Sequence, residues 1–359
     1  MYRIFVFLFF FSLQSCLFAS ELIHYPRKEG SLQERLQWAS QTASGHRTFW
    51  IGYSVERLMG TREEFMSGVS INGNSFKKKP SLQEWLYGIK TDQPESVKVA
   101  AQMELERGEK SQTKVWKEVG IFQRFQKGAK SPDKLQILTL TMSNKFDGPL
   151  YWLGKVSYEE SYQYISGLYS QTSDRVIKED LMPAIGVHPP QLAFPFLKKV
   201  LTSNEPEEVQ EAAAIFTGEL GTPEALQLLQ RVTETNSRES VREAAVIGIS
   251  EMRTDAALQV VYGIAKSHHD SNLRETAITM LADKPGGEAA KLLEEIAWFD
   301  SDEDIRETAI VMLGENEAGV PALLKIMEDH PSAETREMAV HVLAETVAGR
   351  KILKEKIKP

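Results

Sequence analysis

One pattern of hydrophobic positions recurs through the C-terminal half of the chain. The pattern appears in the segment VREAAVIGI and in its relatives LRETAITML and IRETAIVML. Counted from the first residue of each segment as position 0, apolar residues or alanine stand at positions 0, 4, 7 and 8, apart from a glycine at position 7 of the first segment. That spacing forms one face of an α-helix. The copies are spaced by 32 residues, or by 30 before the last, and begin at Val209, Val241, Leu273, Ile305 and Thr335, with a weaker copy at Ile177.

A turn and a second helical pattern follow the copies. The turns contain helix-breaking residues, in GTP at 221–223, KPGG at 284–287 and NEAG at 316–319. Helical spacing then returns, for example in EALQLLQRV and EAAKLLEEIA. Such a pair of helices cannot bury its apolar face alone, so consecutive pairs must stack on one another. The pattern therefore predicts an α-solenoid of about six helical hairpins.

The fourth position after the start of each better copy is always alanine. A small side chain there lets the neighbouring helix come close, because a larger one would overpack the contact. These alanines are Ala213, Ala245, Ala277, Ala309 and Ala339.

These segments and the turns after them resemble HEAT repeats, of the short bacterial kind also found in phycobilisome-lyase-type proteins. The resemblance covers roughly residues 172–357 and is carried by Val209–Ala213 and the equivalent residues of the later copies. It implies a HEAT-like α-solenoid. It does not imply one activity, because proteins of this family bind many unlike partners.

The N-terminal half lacks the repeat and is rich in β-branched and aromatic residues. Partial alternation predicts strands at 48–58, 114–125, 134–142 and 150–154, a turn at 71–76, and helices at 32–43 and 81–89. We therefore expect a mainly α protein with a linker and leading helix at 21–47, a small β-rich cap domain at 48–156 and the solenoid at 157–359. The cap holds four tryptophans, which we expect to fill its core: Trp50, Trp85, Trp116 and Trp152.

The first 20 residues have the form of an export signal. One arginine precedes the apolar run from Ile4 to Phe11, which is too short to span a bilayer as a helix. Cleavage near residue 20 would release a soluble secreted chain. The segment LQSC instead resembles a bacterial lipobox, with Gln14 departing from its pattern, and would make Cys16 a lipid-bearing residue. Cys16 is the single cysteine of the chain, so it has no intrachain disulfide partner.

Charge limits the class of partner. Residues 205–345 contain 29 acidic and 11 basic residues, while the whole chain has a net charge of −8. A surface this acidic repels nucleic-acid backbones and favours a basic protein or peptide, although it can also serve solubility alone. We expect no nucleic-acid partner, and membrane contact only through a lipid on Cys16.

Two charged positions recur in register with the repeat. Arginine follows the start of four copies, at Arg242, Arg274, Arg306 and Arg336, and we expect these to pair with acids of the adjacent unit such as Asp270 or Asp302. Ten residues after each start stands an acid, which either lines a binding edge for a cation or basic peptide or only ends a helix. These acids are Glu219, Glu251, Asp283, Glu315 and Glu345.

No catalytic, cofactor or metal motif is evident. The P-loop, GxGxxG, HExxH and GxSxG patterns are absent, and His268-His269-Asp270 is the one tight cluster of metal-ligand types. We therefore predict an exported, non-enzymatic protein-binding or scaffold protein of the bacterial envelope, without cofactor or metal. The alternatives are an enzyme or lyase-like activity in a pocket between cap and solenoid, and an envelope structural protein. If the second helices line the binding face, it includes Gln227, Gln259, Tyr262 and Lys291.

Overall fold

A computed structural model describes residues 21–60, 64–67, 81–88, 114–252, 254–282, 287–316 and 318–356. The chain divides into two compact units, Met1–Val187 and His188–Pro359. The predicted export signal with Cys16, the turn predicted at 71–76 and Asp283 lie outside the described residues. No helix within the described ranges has the length and apolar character needed to cross a membrane.

The first unit is built on a mixed six-stranded sheet with the order β1-β6-β2-β4-β5-β3. Its long central strands β2 and β4 pair antiparallel, whereas β6 pairs parallel with both β1 and β2. The strand predictions are confirmed, but the short β1, which pairs at the sheet edge, was expected to be linker. The strands are β1 (Leu22–His24), β2 (Thr48–Gly60), β3 (Met66–Ser67), β4 (Lys114–Gln126), β5 (Lys134–Thr139) and β6 (Leu150–Lys155).

Four α-helices accompany the sheet within the described part of this unit. Both predicted N-terminal helices are present, and each begins with a capping box in which a serine, Ser31 or Ser81, and a glutamate three residues later bond each other's backbone N–H. The first compact unit, which ends at Val187, also includes the two helices after β6. The boundary between cap and solenoid at residue 157 stays a prediction. The helices are α1 (Leu32–Thr42), α2 (Leu82–Tyr87), α3 (Tyr158–Gln171) and α4 (Arg175–Gly186).

Two of the four tryptophans expected in the core of this unit are fully buried. Trp50 and Trp152 pack with Phe122 and with Leu82 and Leu86 of α2. Trp85 is partly buried against the same cluster. The prediction is wrong for Trp116, which is 62% exposed opposite Leu58 near the ends of β2 and β4.

The second unit consists of consecutive helices, as the repeat predicts. After α5 (Pro190–Leu201), helices that carry the recurring segment alternate with helices that follow its turn; we call these first helices and second helices. The first helices are α6 (Glu207–Gly218), α8 (Glu239–Glu251), α10 (Ser271–Ala282), α12 (Glu303–Glu315) and α14 (Ala333–Glu345). The second helices are α7 (Pro223–Thr235), α9 (Asp255–Ser267), α11 (Gly287–Phe299), α13 (Val320–Asp329) and α15 (Val347–Lys356).

Each first helix packs against the first helix of the next repeat. The residues that start the recurring segments are buried, and the five recurring alanines have no exposed surface. Spacing of 0 and 4 therefore marks the buried stripe of these helices, as predicted. Two glycines, Gly218 and Gly248, bring the backbones of α6 and α8 into direct contact.

Candidate functional site

The loops between repeats share a capping position. One side chain in each loop accepts a hydrogen bond from the backbone N–H two residues later, at distances of 2.9 Å (Asn236, Asp300), 3.1 Å (His268) and 3.2 Å (His330). An Asx-type turn of this kind prepares the chain for the helix that follows. The residue type at this position changes from loop to loop among asparagine, histidine and aspartate. A comparison of residue types between repeats therefore does not reveal the position.

Three of the four recurring arginines, which lie on the helix after each loop, donate hydrogen bonds to the loop backbone. The guanidinium groups of Arg242, Arg306 and Arg336 donate to the carbonyl oxygen six residues earlier, at 3.1, 2.8 and 2.6 Å. Arg242 also pairs with Asp270 at 2.7 Å, as predicted. Arg274 pairs with Asp300 and not with Asp302, whose carboxylate accepts from the N–H of Asp304.

The predicted acids stand at the ends of the first helices. Glu251, Glu315 and Glu345 are the last residues of α8, α12 and α14, and Glu219 immediately follows α6. All four side chains are exposed. The helix-end part of the prediction therefore agrees with the structure, while their role in binding stays a prediction.

A second row of acids accompanies them and was missed from the sequence. It lies two residues after the start of each recurring segment, eight residues before the first row. Residues at i, i+4 and i+8 share a stripe of a helix, so α6, α8, α12 and α14 each present an acid, a central residue and a second acid, and α10 presents the first two of these within the described residues. The added acids are Glu211, Glu243, Glu275, Glu307 and Glu337, and the central residues are Ile215, Ile247, Thr279, Val311 and His341.

We call these two acid rows and the central row the carboxylate-flanked seam. Neighbouring first helices are aligned laterally, because Ser240 of α8 donates to Glu207 of α6, and Asn272 of α10 donates to Glu239 of α8. The equivalent residues of the seam therefore follow one another from helix to helix. Val311 is 40% exposed, and no described residue forms an ion pair with the added acid row.

The pKa of Glu243 reflects the negative charge along the seam. Partial burial raises the pKa of its carboxyl group, and the negative charges of Glu239, Asp270 and Glu211 raise it further against the opposing effect of Arg242. Glu211 belongs to the preceding first helix. Carboxylates of successive repeats therefore repel one another, and a cationic partner would relieve that repulsion.

The four residues predicted to line a partner surface lie on second helices. Gln227, Gln259 and Lys291 are exposed, and the Tyr262 hydroxyl donates to Glu295. Tyr262 and Lys291 adjoin a groove of about 330 Å³, which we call the aromatic groove. It is lined by Lys291, Glu294, Glu295, Trp298, Phe299 and Lys325. Their role in binding a partner stays a prediction.

A comparison with known families identifies the recurring segment. The family described as HEAT repeats matches residues 168–250 and 234–314. Residues 168–314 thus match the HEAT-repeat family. The resemblance predicted from the recurring segment is thereby confirmed. No curated protein matches the chain in sequence.

Two solved structures match part of the chain at low similarity. Human deoxyhypusine hydroxylase in complex with glycerol is 18% identical, with a TM-score of 0.25, over 55% of this chain and 77% of that one. The CpcE and CpcF complex of phycocyanin lyase from Nostoc sp. PCC7120 is 17% identical, with a TM-score of 0.28, over 55% and 86%. Both are too distant to carry an activity over to this chain.

One group among the described residues of the HEAT repeats has the composition of a metal site. Ligand atoms of Glu234, His268 and His269 lie within 4.8 Å of one another. The Asp270 carboxylate of the predicted cluster is engaged by Arg242 instead. Because the Nδ1 atom of His268 accepts the N–H of Asp270, the proton of the neutral ring lies on Nε2, 3.7 Å from Glu234. A metal would need that Nε2 lone pair, so the geometry favours a polar contact with Glu234 over metal binding.

Proposed function

We propose that the chain is a non-enzymatic binding protein whose HEAT repeats hold a basic protein segment along the carboxylate-flanked seam. The observation that carries the proposal is the in-register pattern of acid, central residue and acid along α6, α8, α12 and α14, with the first acid and the central residue also described in α10. The central row gives apolar contact in three of them, at Ile215, Ile247 and Val311. A segment with one apolar stripe and cations on both sides matches this surface in shape and charge.

A protein segment fits the seam better than a metal ion does. Packed helices lie about 8–10 Å apart, so equivalent carboxylates of neighbouring repeats are too widely spaced to share one ion. Lysine and arginine side chains are long enough to reach carboxylates at such intervals. Many weak contacts along a repeat surface then add up to useful affinity.

Binding of a synthetic peptide tests this proposal. An amphipathic peptide of leucine and lysine, about 20 residues long, spans about 30 Å as a helix and can cross three or four first helices. We expect fluorescence anisotropy to detect its binding, with affinity falling as salt rises. The same peptide with glutamate in place of lysine should not bind.

Charge reversal locates the site. Glu243→Lys with Glu275→Lys should weaken peptide binding about tenfold and reduce its salt dependence. The matched control is Glu224→Lys with Glu288→Lys, which changes net charge equally at two exposed positions of second helices. Equal weakening by both double variants would mean that the peptide senses only net charge, and the seam would be the wrong site.

We further propose that the apolar segment before Cys16 directs export and that Cys16, retained in the mature protein, anchors it through a lipid. The support is the apolar run that ends at LQSC together with the use of the single cysteine there. Metabolic labelling with a fatty-acid analogue should mark the wild-type chain and not Cys16→Ala. Export without labelling of the wild type would leave a soluble secreted protein.

A further inference from the structure

We propose that two copies of this chain associate through the aromatic groove of the second helices. Phe299, the last residue of α11, stands at this groove with 78% of its surface exposed. Single exposed apolar residues are ordinary on protein surfaces. Phe299 differs because it adjoins a groove of about 330 Å³ that includes a second aromatic ring, Trp298.

The groove is held in a fixed shape by contacts between neighbouring second helices. Lys325 of α13 pairs with Glu294 of α11 at 2.7 Å, and its ammonium lies 5.6 Å from the centre of the Trp298 ring. The Trp298 ring also contacts the ring of His330, with centres 4.9 Å apart. On the other side, Lys266 of α9 pairs with Glu295. A binding site that is formed before the partner arrives pays less ordering entropy on association.

This patch has the features that a symmetric interface between two copies requires. In a two-fold dimer the same patch meets itself, so it must contain both a protruding group and the cavity that receives it. Phe299 supplies the protruding ring, and the groove beside Trp298 supplies the cavity. Phe299 of each copy can therefore enter the groove of the other.

Charge also favours this patch for self-association. The groove has two lysines and two glutamates, so its own charges balance. By contrast, residues 205–345 as a whole have 29 acids against 11 basic residues. Two copies that met along the carboxylate-flanked seam would place carboxylates opposite one another, which is repulsive. The aromatic groove avoids that repulsion.

Sedimentation equilibrium on the full mature chain tests the proposal. A patch of this size is smaller than a standard protein interface, so we expect a weak dimer with a dissociation constant on the order of 10–100 µM. Phe299→Asp should raise that constant about 30-fold or more, because a charge would replace the central aromatic contact. The matched control is Val347→Asp at an equally exposed apolar position, 80% exposed in α15, and it should leave the constant unchanged.

Three results would overturn the proposal: a wild-type chain that stays monomeric at about 500 µM, a dimer that persists in Phe299→Asp, or a dimer that Val347→Asp disrupts equally. Circular dichroism establishes that each variant is folded. Binding of the basic peptide to the seam does not require Phe299. Its retention in Phe299→Asp separates failure of this inference from failure of the proposed function.

Discussion

A Cβ atom placed on Gly218 would overlap the carbonyl oxygen of Gly248, because α6 and α8 pack there backbone against backbone. The contact is reciprocal, since a Cβ on Gly248 would lie 2.6 Å from the carbonyl oxygen of Ala214. Small residues recur at the position of Gly218 in the other repeats, as Ser250, Ala282, Gly314 and Ala344. Close approach of first helices is thus encoded at a second position besides the recurring alanine.

Gly218→Ala should therefore destabilise the protein. The added methyl group forces the two helix backbones apart, and we expect a loss of about 1–3 kcal/mol in the free energy of unfolding. Gly263→Ala is the matched control, because a Cβ there meets nothing within 4 Å in helix α9. That change should stabilise by about 0.5–1 kcal/mol, since alanine favours the helix over glycine. Urea unfolding of both variants measures the difference, and equal effects would contradict the close contact.

The recurring alanines support a second stability prediction. Ala277 and Ala309 have no exposed surface, so leucine at either position should cost about 1–3 kcal/mol through overpacking. Ala256→Leu on the exposed side of α9 should change stability by less than about 0.5 kcal/mol. Thermal and urea unfolding provide the measurement. Tolerance of leucine at both buried sites would mean that the first helices are less closely packed than the structure shows.

The success of the fold prediction and its failures have physical reasons. Helical periodicity located the repeats because every hairpin must bury the same stripe, so Val241 and Ala245 have equivalents throughout. Strand alternation located β2 and β4. It could not find the three-residue β1, which is defined by pairing with β6. Burial of Trp116 was wrongly expected because composition does not tell which end of a long strand lies outside the core.

The candidate site was only partly predictable. The helix-end acids were evident from register, and the second acid row could have been found by the same 32-residue count from Glu243 to Glu275 and Glu307. The capping position in the loops between repeats could not be found from residue type. The Oδ1 atom of Asn236 and the Nδ1 atom of His268 accept the same backbone hydrogen bond although the residues differ. Exposure of Phe299 depends on where α11 ends, which sequence periodicity locates poorly.

The pair of Arg274 and Asp300 should matter more to stability than a surface ion pair does. Its side chains are only 12% and 6% exposed, and Asp300 also accepts the N–H of Asp302 at 2.9 Å. Asp300→Ala leaves the Arg274 guanidinium without its carboxylate and should cost about 3 kcal/mol. Asp300→Asn keeps the acceptor for the turn, as Asn236 does in an earlier repeat, and should cost less. Similar losses in both variants would show that the charge, and not the turn, dominates.

Ionisation of Glu243 should lower the stability of the folded protein, whereas ionisation of a salt-bridged acid raises it. Its pKa is raised in the folded state by partial burial and by neighbouring acids, so the charged form is penalised. The penalty is present at pH values above the folded pKa and disappears below the unfolded one. Glu243→Gln should therefore be more stable than the wild type near neutral pH, and the difference should narrow as pH falls through the titration range of the carboxyl group. Urea midpoints across that range measure it.

Removing a neighbour tests the cause of this effect directly. Glu239→Gln takes away the nearby charge that contributes most to the raised pKa after partial burial, so the Glu243 carboxyl should titrate at lower pH. NMR titration of the side-chain carboxyl carbon reads this out residue by residue. An unchanged Glu243 pKa in Glu239→Gln would mean that the charge of Glu239 does not contribute to the raised value. The basic partner proposed for the seam should lower the same pKa, because its cations favour the charged carboxylate.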